Sequence, residues 1–89
     1  MLIALIARDK KGALEIRKAN RDNHLAYIEK TGVVAQAGPL IENGDMAGSL
    51  VILDVADMAA AEDWAANDPY AKAGLFDKVE LIEWKKVVG

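Results

Sequence analysis

The sequence predicts an α+β domain built on a four-stranded antiparallel sheet, and three observations carry that expectation. Apolar strand-like runs and helical stretches follow one another in the order β-α-β-β-α-β. The first and third strand segments, residues 2–7 and 49–55, are apolar on both faces, which marks them as central strands. The second contains Gly38-Pro39, and proline cannot donate to a ladder, so this strand is an edge or stops there. A ferredoxin-like sheet with strand order 4-1-3-2 satisfies all three.

Each element has a local reason. Leu2-Ile3-Ala4-Leu5-Ile6-Ala7 is short and apolar throughout, and the polar stretch 8–12 that follows reads as a loop. Residues 13–30 read as a helix with Leu14, Leu25 and Ile28 near one face. That face thins at Lys18 and Arg21, and Thr31-Gly32 ends the helix. Residues 33–40 form the second strand, and Asn43-Gly44 is a strong hairpin signal leading into the third. There Leu50 and Ile52 face one way, and Val51, Leu53 and Val55 the other. Asp57 is a suitable N-cap for an alanine-rich helix over 58–67, which Trp64 anchors. Asn67-Asp68-Pro69-Tyr70 turns a corner: a residue before proline leaves the helical region, and Asp68 then caps a short helix opening on Pro69. Gly74 ends that piece, and residues 79–86 form the last strand.

The 89 residues suffice for one domain spanning 1–89, which buries roughly 60–65% of its unfolded surface. Two helices cover one face of such a sheet. With 53% hydrophobic residues, the other face needs a cover, and a second copy of the chain supplies it: a homodimer is expected. A net charge of −3 with mixed signs offers no basic field for nucleic acid. The run 2–7 is too short for a membrane span or a signal peptide. The lack of cysteine excludes disulfides and thiol chemistry and fits a reducing cytoplasm, where the protein is expected to act.

His24 is the one histidine, and histidine is the side-chain type whose ordinary charge change lies nearest neutral pH. Its helical neighbours are Asn20, Arg21, Tyr27 and Ile28. Two readings of Asp68 stand: a helix cap alone, or a cap that also orients a histidine. No HExxH-type spacing exists, so no metal and no cofactor are expected. Ser49 and Gly38-Pro39 are candidate pocket walls. Trp64, Phe76 and Trp84 read as core or dimer contacts.

Several motifs together resemble the YciI-like family, the YCII-related domain. They are His24-Leu25-Ala26-Tyr27, Ala37-Gly38-Pro39-Leu40, Gly48-Ser49, Asn67-Asp68-Pro69-Tyr70 with Gly74-Leu75-Phe76, and Glu83-Trp84. Family members often carry proline where this chain has Glu83. The resemblance implies a dimeric α+β barrel and a site centred on a histidine–aspartate pair, which maps to His24 and Asp68 with Ser49 as a third polar group. Gly38, Pro39 and Tyr70 would bind substrate. The implied chemistry is proton transfer on a small polar ring, of the lyase, isomerase or dehydrochlorinase type. A small-molecule sensing module is the alternative, and a haem-dependent monooxygenase with His24 as ligand ranks last.

Overall fold

The computed structural model describes residues 1–89. The elements are β1 (Leu2–Asp9), α1 (Leu14–Thr31), β2 (Val34–Glu42), β3 (Asp45–Asp54), α2 (Met58–Asn67), α3 (Pro69–Lys72) and β4 (Phe76–Glu83). The strands form one antiparallel sheet in the order β2-β3-β1-β4, so the two strands apolar on both faces are central and the proline-bearing strand is an edge. The fold is ferredoxin-like α+β, as the strand pattern implies.

Strand parity sorts the side chains. Ile3, Leu5 and Ala7 of β1 face the helices with Val51 and Leu53 of β3, and with Ala61 and Trp64 of α2 they make the core. Fully burying each aliphatic side chain of Val or Leu size stabilises by about 1.5–3 kcal/mol. A smaller cluster, Ala13, Tyr70 and Leu75, packs under α3. On the opposite face the register aligns Ile52, Ala4 and Ile82 across three strands, with Leu50 beside Ile6. Leu50 is 40% exposed and Ile82 52%, while Ala4 and Ile52 are buried, so the stripe is open on the single chain at Leu50 and Ile82.

The limits of all four strands differ from the sequence reading, and β2 runs Val34–Glu42 where 33–40 was expected, because it pairs with β3 up to the Asn43-Gly44 turn. β1 runs on to Asp9, because its carboxylate continues the inward phase of Ile3, Leu5 and Ala7 and finds a buried arginine there. β3 starts at Asp45, because Asn43 and Gly44 take up both positive-φ positions of a tight turn (φ 50° and 82°) and pairing begins at once. β4 starts at Phe76, directly after Gly74 at φ 74°, and its regular pairing ends at Glu83. Only the Trp84 N–H still reaches Leu2, because β1 begins there and offers no further partner.

Candidate active site

α1 places polar side chains where a core helix would place apolar ones. Its two buried residues are Arg17 and His24, which lie seven positions apart and therefore on one face. Ile28 and Arg21 continue the same stripe beside a cavity of about 220 Å³. That cavity lies between α1, the β2–β3 end of the sheet and α3.

The corner between α2 and α3 supplies the partner of His24. Asp68 has extended backbone (φ −61°, ψ 127°), and its Oδ1 accepts the Tyr70 backbone N–H at 3.0 Å, which caps α3. The same oxygen accepts a second hydrogen bond, from His24 Nδ1 at 2.8 Å. Asp68 is 1% exposed and does not line the cavity; it is sealed behind the imidazole. Because Nδ1 donates to a carboxylate, the neutral ring carries its proton on Nδ1 and leaves the Nε2 lone pair free. No buried side-chain nitrogen or oxygen in the molecule lacks a partner, and Nε2 has none within the protein, so Nε2 opens to the cavity that His24 lines. The imidazole lies flat against the Tyr70 ring, with centroids 3.9 Å apart and planes 13° from parallel, which fixes its tilt.

A second polar group stands beside this pair. Arg17 donates from Nε and Nη2 to the two oxygens of Asp9, at 2.7 and 2.9 Å, and Nη2 also donates to Ser49 Oγ at 2.8 Å. Its guanidinium carbon lies 4.8 Å from the centre of the Tyr70 ring. Burial acts to lower the Arg17 pKa, but the paired hydrogen bonds and charge of Asp9 outweigh it and hold it above the ordinary value. Burial pushes the Tyr70 phenol up, against the opposing pull of Arg17.

Of the residues singled out from the sequence, His24, Ser49, Gly38, Pro39 and Tyr70 line one cavity, and Asp68 sits directly behind it. Arg17 and Asp9 are the additions. Their signal was the 4-3-4 spacing of Arg17, Arg21, His24 and Ile28, which draws one stripe along α1. No group of three or more histidines, cysteines or carboxylates is arranged to hold a metal ion. A wider depression between α1 and α2–α3, lined by Asn20, Asn23, Lys30 and Asn67 among others, contains none of the buried polar groups.

Residues 1–85 match the model of the YCII-related domain. The chain belongs to the YCII family. Protein YciI of Escherichia coli is 35% identical over 97 residues, covering 98% of this chain and 99% of that one. Among solved structures, 5-chloro-2-hydroxyhydroquinone dehydrochlorinase (TftG) from Burkholderia phenoliruptrix superposes with a TM-score of 0.90 at 33% identity. The match covers 96% of this chain and 94% of that enzyme, which was solved in complex with 2,5-dihydroxybenzoquinone. An antibiotic biosynthesis monooxygenase at 15% identity and a TM-score of 0.58 shares the fold alone. No helix is long and apolar enough to cross a membrane.

Proposed function

We propose that this family member is a cytoplasmic, homodimeric acid–base enzyme acting on a small, oxygen-bearing ring, with His24 as general base and Asp68 as its positioning residue. The observation that carries the reading is the His24 ring itself: Nδ1 is tied to a sealed carboxylate, and Nε2 is free at a cavity wall. A base held in one tautomer and one orientation is what proton abstraction requires. At about 220 Å³ the cavity is smaller than the roughly 300–1,000 Å³ of sites for drug-sized ligands, so a single ring suits it and a porphyrin does not. The likeness to a dehydrochlorinase at 33% identity supports the same chemical class.

In the proposed step, Nε2 takes a proton from a carbon or hydroxyl next to a ring carbonyl. The bonding pair moves into the ring and forms an enolate. In an isomerisation the imidazolium returns the proton elsewhere on the ring. In an elimination the pair moves on, and a leaving group departs from the neighbouring carbon with its own bonding pair. Ser49, the Gly38-Pro39 backbone and the Tyr70 ring contact the substrate.

The test uses 2,5-dihydroxybenzoquinone in heavy water, with loss of its ring-proton signal followed by NMR. Wild-type protein should accelerate the exchange and His24→Asn should not, with general-base catalysis accounting for about 10²–10⁴-fold. Saturable binding without any acceleration by wild type would favour the sensing module and reject the enzyme.

A further inference from the structure

We propose that the cavity selects an anionic ring, with Arg17 as the specificity-determining residue and Asp9 as the group that positions it. The proposal deepens the reading above and rests on its cavity, while standing on different atoms. Arg17 is 3% exposed, and three of its N–H bonds are committed to Asp9 and Ser49 through Nε and Nη2. The Tyr70 hydroxyl is the further protein group that acts on the guanidinium, and Nη1 itself makes no hydrogen bond of normal geometry. Since no fully buried side-chain nitrogen in the molecule is left without a partner, Nη1 is not sealed in, and Arg17 lines the cavity. The Nη1 end of a fixed guanidinium therefore faces the ligand space, held from behind by a carboxylate that does not itself line the cavity.

The charge on the wall points the same way. The residues around the cavity include Arg17 and Arg21, and not one aspartate or glutamate, although the chain as a whole carries a net charge of −3. A concave site lined by one sign of charge concentrates ligands of the other. The rest of the wall includes Leu25, Ile28, Met46 and Val51, which suits the body of a ring. Asp9 makes burial of the guanidinium tolerable, since a buried charge needs a partner, and the Tyr70 ring at 4.8 Å holds the guanidinium in place. A neutral ligand's carbonyl oxygen would also accept from Nη1, but without the charge that makes a hydrogen bond to a guanidinium strong. A carboxylate, phenolate or enolate oxygen would supply that charge. The enolate formed by proton abstraction carries the same charge, so one group would serve ligand selection and the stabilisation of that intermediate.

Calorimetry with benzoate and benzamide, probes of one shape and different charge, tests the proposal at low ionic strength. Wild-type protein should bind benzoate at least ten-fold more tightly than benzamide. The double variant Asp9→Asn/Arg17→Gln exchanges the ion pair for a neutral one and should lose that preference. Should the double variant fail a melting check, Arg17→Lys retains a charge against Asp9 but lacks the forked donors, and it should bind benzoate at least ten-fold more weakly. Equal binding of the two probes by wild type, no saturable benzoate binding, or an undiminished preference in a folded Arg17 variant would overturn the proposal. Ring-proton exchange in His24→Asn decides the acid–base reading separately, since that variant leaves Arg17 untouched.

Discussion

Asp68 does two jobs with one oxygen, and two substitutions separate them. Asparagine offers a carbonyl oxygen in the same place, so Asp68→Asn should keep both the α3 cap and the fold, with a melting temperature near wild type. It removes the charge that steadies an imidazolium, so exchange catalysis should fall by about a hundred-fold or more. Asp68→Ala loses the cap, at about 0.5–2 kcal/mol. It also strands a buried imidazole N–H, at about 1–3 kcal/mol more. Thermal melts should show that difference at about 4–8 °C per kcal/mol. Tyrosine sets a pH limit at the same scale. Burial is the main cause that raises the phenols of Tyr70 and Tyr27 above their ordinary 10.0. Above pH 10 the unfolded chain therefore loses these protons while the folded chain keeps them, and stability should fall as pH rises further. Tyrosinate absorbance during alkaline unfolding should show the delayed ionisation, and Tyr27→Phe should shallow the loss of stability.

Within the elements, legibility followed how each one is stabilised. The caps at Asp57 and Asp68, the Asn43-Gly44 turn and the edge strand marked by Pro39 could be read directly, because each is decided by local backbone chemistry. The His24–Asp68 pair, 44 positions apart, was one of two open readings of Asp68, and resemblance to a family singled it out, since no local rule joins two helices at that distance. Arg17–Asp9 escaped notice because charged residues on a helix and at a strand end normally face water, and only the tertiary pairing reverses this. The paired strands β2 and β3 hold a further test. A Cβ at Gly48 would lie 2.2 Å from the Ala7 carbonyl oxygen, which is backbone and cannot swing aside, whereas one at Gly38 would meet nothing within 4 Å. Gly48→Ala should cost about 1–3 kcal/mol in a melt. Gly38→Ala should leave the melting temperature close to wild type.

Across the whole molecule, strand parity assigns each side of the sheet its task. Val51 lies in the core under the helices, while Leu50, the next residue, is on the open face beside Ile6. Val51→Glu should therefore unfold the chain by burying an unpaired charge. Leu50→Glu should leave a folded monomer in place of the proposed dimer. Sedimentation and circular dichroism on the two variants distinguish these outcomes, and a wild-type chain that sediments as a monomer would contradict the dimer. The sequence pattern showed that one sheet face needed a cover, yet it did not say which of two adjacent apolar residues faced it, because both strand faces are apolar and only the register decides.

The central claim is that the fold holds His24 with its proton on Nδ1 and its lone pair facing the cavity. Nitrogen-15 NMR of the single imidazole in its neutral form reads this directly. Wild type should show a protonated Nδ1 and an unprotonated Nε2, with Nε2 alone perturbed when 2,5-dihydroxybenzoquinone is added. A ring protonated on Nε2, or one exchanging freely between tautomers as in a solvated peptide, would contradict it.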